Sequence, residues 1–276
     1  MIGQKNLLDT FEDLIERNAF PRFLILEGER GSGKRTLINS ILPLFNSNYY
    51  VCEDVKVDTI REIINVAYTW TGGVFVIPDC DNMSMAGQNA LLKVVEEPPK
   101  DTNFIITVED RNNLLPTIRS RGMIYMMEMY TPQEILQYSR DKFDIDESDE
   151  EIIKTLCSVP EEVDIIYDYG ITEFTDYVRL VVKNIGAVSG ANSFKIASKV
   201  SLKDGSDGYD LKIFWKSFIN IAVELFNEES DIDQSINYLK YASMTGSYLQ
   251  KLRHKGINKQ MLFDSWILDI REFSYE

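Results

Sequence analysis

The stretch Gly28-Glu29-Arg30-Gly31-Ser32-Gly33-Lys34 constrains this chain more than any other. It fits G-x-x-x-x-G-K and stands between the apolar run Phe23-Leu24-Ile25-Leu26 and a helical pattern carrying Leu37, Ile38, Ile41 and Leu42. Glycines at 28, 31 and 33 let backbone N–H groups turn toward phosphate oxygens at a helix N-terminus, and Lys34 adds a point charge. A chance turn that merely caps a helix would meet the spacing without the strand–loop–helix setting. This loop predicts a phosphate-binding fold.

The flanking sequence agrees. Lys5 to Asn18 places Leu7, Leu8, Phe11, Leu14 and Ile15 on one helical face, and Pro21 stops the pattern. Tyr49–Cys52, Val74–Ile77, Phe104–Val108 and Met123–Met127 read as further strands, separated by helical patterns at Thr59–Trp70 and Gly87–Val95. Strands alternating with helices predict an α/β fold with a parallel sheet covered on both faces. Thr131-Pro132-Gln133-Glu134 reads as a helix start, with an N-cap, proline at the first position and glutamate at the third. No strand pattern follows it. We expect three units: 1–128, α/β; 129–186, a small acidic helical domain; and 187–276, all α. A composition break at Gly186–Asn192 precedes the third, which the loop Lys203–Gly208 interrupts. Its apolar set Phe214, Trp215, Phe218, Ile221, Ala222 and Leu225 suits a buried helix face.

Composition excludes several functions. No run of about 18 apolar residues exists to cross a membrane. The N-terminal MIGQKNLLDTFEDL lacks the apolar segment of a secretory signal. Three scattered cysteines, Cys52, Cys80 and Cys157, fit a reducing cytoplasm. The single histidine, His254, leaves no His-based triad and no multi-His zinc site, and we expect no metal centre. The chain carries 29 Lys and Arg against 44 Asp and Glu, a net charge of −15, and Asp141 to Asp176 alone holds 13 acidic residues against two lysines. That sign opposes broad DNA binding, which phosphate neutralisation drives. The basic stretch Lys251, Arg253, His254, Lys255 and Lys259 reads as an interface with an acidic neighbour. Met83, Met85, Met123, Met126, Met127 and Met129 read as core packing.

The phosphate loop is defective at its metal. The position after Lys34 should carry a hydroxyl for Mg²⁺, and it is Arg35; Thr36 is rotated about 100° around the helix. The strand Val74–Ile77 should end in acidic residues that position Mg²⁺, yet it continues Pro78-Asp79-Cys80-Asp81. Proline offers neither a carboxylate nor an N–H. Glu96-Glu97-Pro98-Pro99 reads as a helix terminus, since consecutive carboxylates there do not converge on one substrate atom.

Gln88-Asn89-Ala90-Leu91-Leu92-Lys93-Val94-Val95-Glu96-Glu97-Pro98-Pro99, Phe104-Ile105-Ile106-Thr107 and Leu114-Leu115-Pro116-Thr117-Ile118-Arg119-Ser120-Arg121 resemble the clamp-loader branch of the AAA+ ATPases. Within it the chain is most similar to the bacterial DNA polymerase III delta-prime subunits, as a divergent member of cellular or phage origin. The likeness is strong over residues 2 to about 128. Cys52 stands alone where such subunits typically carry a zinc module. The family's Ser-Arg-Cys motif appears as Ser120-Arg121-Gly122. Where ATPase members place a sensor arginine, this chain has Pro160-Glu161-Glu162, an acidic pair that would repel a γ-phosphate.

The resemblance implies a five-subunit ring that opens a sliding clamp and places it on primed DNA, with gamma/tau-like and delta-like subunits as partners. It makes 129–186 a lid and 187–276 an oligomerisation collar. Arg121 matches the arginine that reaches into the neighbour's ATP site, with Ser120 supporting its loop. Gly28, Gly31, Gly33, Lys34, Thr36 and Thr107 make up a degenerate nucleotide site, Thr107 matching the γ-phosphate sensor. No cofactor is required, though weak ATP or ADP occupancy without turnover is compatible with it. The expected function is a non-hydrolysing clamp-loader subunit. A working ATPase recruiting Asp79, an adaptor with no ATP-linked role and a stand-alone regulator are the alternatives. Without the family match, Arg121 is a surface salt bridge, and Arg119 would share its side of an extended segment.

Overall fold

The apolar runs read as strands form one parallel sheet. In the computed structural model, which describes residues 2–70, 72–186, 198–202, 207–252 and 256–273, β1 (Phe23–Glu27), β2 (Tyr49–Val51), β3 (Gly73–Ile77), β4 (Thr102–Val108) and β5 (Met123–Met126) lie in the order β2-β3-β4-β1-β5. Every neighbouring pair is parallel, with Phe23 opposite Phe104 and Leu24 opposite Met123. Strand alternation then divides the core. Phe23, Ile25, Phe75, Ile77, Phe104 and Ile106 point to one face with α3 (Val57–Thr69) and α4 (Met85–Glu96). Leu24, Leu26, Val74, Val76 and Ile105 point to the other with α1 (Lys5–Glu16) and α2 (Lys34–Ile41). The central strands are buried on both sides, which is why they read as unbroken apolar runs.

The chain divides into two compact units, residues 1–142 with 158–161, and residues 143–157 with 162–276. The first also contains α5 (Pro116–Arg119) and α6 (Pro132–Lys142). The start of α6 is the reciprocal cap its sequence announces: Glu134 N–H donates to Thr131 Oγ1 at 3.2 Å, and Thr131 N–H donates to Glu134 Oε2 at 2.8 Å.

The second unit contains α7 (Glu147–Leu156), most of α8 (Pro160–Tyr169), α9 (Ile171–Asn184), α10 (Leu211–Glu228), α11 (Ile232–Lys251) and α12 (Lys259–Phe273). A pair of two-residue strands, β6 (Val200–Ser201) and β7 (Tyr209–Asp210), interrupts the helices. Phe214, Trp215, Phe218, Ile221, Ala222 and Leu225 are all buried, as the helix face requires. Trp266 is buried edge-on to Phe214 and Phe218, and its indole N–H donates to Thr245 Oγ1 at 2.9 Å.

The methionine expectation needs correcting. Met83 and Met127 are buried, but Met85, Met123, Met126 and Met129 are exposed. Met123 and Met126 lie on β5, the sheet edge beside β1, where fewer neighbours cover a side chain. Arg253, His254, Lys255 and the break at 187–192 lie outside the described residues. Among the described residues no helix is long and apolar enough to cross a membrane.

Candidate functional site

The carboxyl ends of β1, β3 and β4 come together beside the phosphate loop, the crevice where open parallel sheets bind ligands. Gly31 and Gly33 adopt φ of 80° and 84°, left-handed values that glycine takes freely. Gly33 serves as N-cap of α2. Lys34 is buried, and its Nζ donates to the carbonyl oxygens of Gly28 at 2.6 Å and Glu29 at 3.0 Å. Two residues to which the sequence assigned no part in this loop close over it. The Tyr130 hydroxyl donates to Ser32 O at 2.9 Å, and Met127 packs so tightly on Gly28 that a Cβ there would fall 2.5 Å from its Cγ. Burial pushes the Tyr130 phenol above its ordinary range.

The positions expected to hold magnesium carry other groups or other partners. Arg35 and Thr36 are exposed on α2. Pro78 follows β3 with no carboxylate. Asp81 is committed elsewhere: it accepts from the Glu109 N–H at 2.6 Å, the Asp110 N–H at 3.1 Å and Asn113 Nδ2 at 3.1 Å, pinning the turn after β4. Thr107, at the end of β4, is buried and accepts from the Asp79 N–H at 2.9 Å. Its hydroxyl therefore holds Asp79, whose φ of 52° is left-handed, against the sheet. Glu27, ending β1, accepts from the Arg111 N–H at 3.1 Å and pairs with the Arg111 guanidinium at 3.3 Å. Among the described residues no three His, Cys, Asp or Glu side chains are grouped to hold a metal.

Arg121 stands apart from this loop. It follows Ser120, the C-cap of α5, whose Oγ donates to Thr117 O at 3.1 Å. Its Nη1 donates to the same carbonyl at 2.7 Å and its Nη2 pairs with Glu96 Oε1 at 2.7 Å. The extended geometry that would align Arg119 with Arg121 is absent, because residues 116–119 are helical. Arg119 Nη1 donates instead to Asn112 Oδ1 at 2.7 Å. The glutamate run is a helix terminus, as its prolines require: α4 ends at Glu96, and the Glu97 N–H donates to Lys93 O.

Gln88 of α4 ties these parts together. Its buried amide donates to Asn113 O at 3.1 Å and Met83 O at 3.4 Å, and accepts from the Leu115 N–H at 2.7 Å. The segment leading into α5 is thereby fastened to α4. Of the site residues, the structure groups Gly28, Gly31, Gly33 and Lys34 in one loop. Ser120 and Arg121 form a separate turn.

A family model described as DNA polymerase III, delta subunit, matches residues 49–131, which contain both Gln88–Pro99 and Leu114–Arg121. Replication factor C subunit 3 of Schizosaccharomyces pombe is 29% identical over 149 residues, covering 49% of this chain and 43% of that protein. DNA polymerase III subunit gamma of Buchnera aphidicola subsp. Schizaphis graminum is 26% identical over 169 residues, covering 50% and 47%. Over these stretches the chain is similar to clamp-loader subunits. It spans just under half the length of those curated relatives. The Thermotoga maritima RuvB Holliday junction branch migration motor shares the fold at 18% identity and a TM-score of 0.51, over 96% of this chain and 82% of that one. The matched span takes in the Ser-Arg turn and begins after the phosphate loop. Gly122, standing where the clamp-loader motif has cysteine, has a local cause: a Cβ there would fall 2.6 Å from Ile25 Cδ1 and Cγ1, in the packed core.

Proposed function

We propose that this chain is a delta-prime-like, non-hydrolysing subunit of a sliding-clamp loader in DNA replication. It lends Arg121 to the ATP site of an adjacent gamma/tau-like subunit. The observation that carries this reading is a contrast within one unit. At the chain's own loop, Pro78 and Arg35 stand where metal ligands are expected, and Asp81 accepts from backbone N–H groups. Arg121 meanwhile sits on an exposed turn, with its guanidinium braced by Thr117 O and Glu96. An arginine supplied in trans balances charge developing on the transferring phosphate oxygens, an effect worth about 10³–10⁵ in rate. Losing magnesium positioning removes several kcal/mol of barrier lowering at the chain's own site.

On this reading residues 1–128 are the nucleotide-binding-like domain, 129–186 the lid and 187–276 the collar. Partners are the ATPase and delta-like subunits, the sliding clamp, and primer–template DNA reached through the assembly in the cytoplasm. ATP or ADP occupies the chain's own loop weakly at most, and no cofactor is required.

Mass analysis of proteins co-purifying with the tagged chain tests the assembly, and a clamp with a related ATPase is the expected result. A working ATPase would instead show Mg²⁺-dependent turnover by the isolated chain, abolished by Lys34→Ala. An adaptor would leave the assembly's ATP turnover unchanged on Arg121→Ala.

A further inference from the structure

One of the protein's own carboxylate side chains packs against the phosphate loop. Glu161, at the start of α8, belongs to the same compact unit as the loop. It lies directly on Gly31: a Cβ at that glycine would fall 2.3 Å from Glu161 Cβ and 2.7 Å from Glu161 Oε2. A loop residue holds it there, with Arg30 Nε 3.5 Å from the same oxygen. Glu162, its neighbour in the acidic pair, is engaged differently, in an ion pair with Lys216 within the second unit.

The rest of the loop keeps the elements of an anion cradle. Gly31 and Gly33 keep the left-handed turn that presents backbone N–H groups. Lys34 is buried and turned onto the loop's own carbonyls. Ser32 Oγ is buried in the loop with no hydrogen-bond partner. A glycine turn of this form with a carboxylate-bearing side chain packed on it at Gly31 leaves an incoming phosphate both less room and a like charge to meet.

We propose that Glu161 guards this loop, its carboxylate keeping the polyphosphate of a nucleoside triphosphate off Gly31. A triphosphate entering the loop would bring several negative charges within a few ångströms of a fixed carboxylate, where like charges repel strongly. It would also have to displace the Glu161 side chain from Gly31. Removing the carboxylate clears the space and frees Arg30 to meet the incoming anion. The inference goes beyond the function proposed above. It concerns the chain's own loop and is decided on the isolated full chain, whatever Arg121 does in an assembly.

The test is equilibrium binding of radiolabelled ATP to the full-length chain in EDTA, comparing wild type with Glu161→Gln and Glu161→Ala. The first variant removes the charge at nearly constant size, and the second removes both. We expect wild type to bind weakly, Glu161→Ala to bind at least tenfold tighter and Glu161→Gln to fall between them. Adding Lys34→Ala to Glu161→Ala should cancel the gain. Unlabelled pyrophosphate should compete, because the loop reads phosphate and not the base. A folded Glu161→Gln or Glu161→Ala protein that binds ATP no better than wild type overturns the proposal, as does a gain that survives Lys34→Ala. Magnesium-dependent hydrolysis by a variant that has gained binding would uphold this inference while refuting the non-hydrolysing reading.

Discussion

Arg121 and Glu96 are joined at 2.7 Å, between the turn after α5 and the last residue of α4. A carboxylate at a helix C-terminus faces the negative end of the helix dipole. The guanidinium offsets that charge and is itself held in one direction by the Thr117 carbonyl.

The two side chains are 35% and 46% exposed, so solvent screens their attraction. Such a pair contributes at most about 1 kcal/mol. Glu96→Gln should therefore shift the unfolding free energy, read from a urea titration, by less than about 1 kcal/mol. A larger loss would make the pair a structural clamp and not a support for Arg121.

Gln88 is different because its amide is buried and fully engaged. Gln88→Leu would leave the Leu115 N–H and Asn113 carbonyl without their partner. We expect a loss of about 1–3 kcal/mol in the same titration. Hydrogen exchange should also quicken at Leu115.

Gly122→Cys would restore the clamp-loader motif and should still destabilise. Its Cβ would meet Ile25, which is fully buried in β1. Overpacking of this kind costs about 1–3 kcal/mol. Combined with Ile25→Ala in a double-mutant cycle, the pair should show coupling of at least about 0.5 kcal/mol. Additive effects would show that the two positions do not compete for space.

Asp54 links stability to pH. Its carboxylate accepts from Thr59 Oγ1 at 2.6 Å and the Lys56 N–H at 3.0 Å, and it pairs with Lys56 Nζ at 2.7 Å. Its hydrogen bonds from Lys56 and Thr59 push its pKa down to about 2. A folded-state value below the unfolded one stabilises above the unfolded value and is lost as pH falls through the folded one. The stability difference between wild type and Asp54→Asn should therefore be present at neutral pH and shrink between about pH 4 and pH 2. A difference constant across that window would contradict the assignment.

What could be read from the sequence follows the range of the interactions. β1, β3 and β4 announce themselves because strands buried on both faces are continuous apolar runs. The cap at Thr131 is legible because its partner lies three residues away. β5 misleads: Met123 and Met126 look like core residues until the strand order places them at an edge. β6 and β7 are too short to carry a period. Glu96 with Arg121, Gln88 with Leu115, and Glu161 with Gly31 are brought together across 25, 27 and 130 positions by the tertiary fold, and no local pattern encodes them. The acidic residues at 161 and 162 could be seen as hostile to phosphate. That only Glu161 lies on the loop could not.

The central claim, an arginine lent to a neighbour, is tested most directly by ATP turnover of the assembly purified through this chain. Wild type is compared with Arg121→Ala at matched assembly and saturating ATP. The account predicts at least a tenfold fall in kcat with the complex intact; unchanged turnover would contradict it.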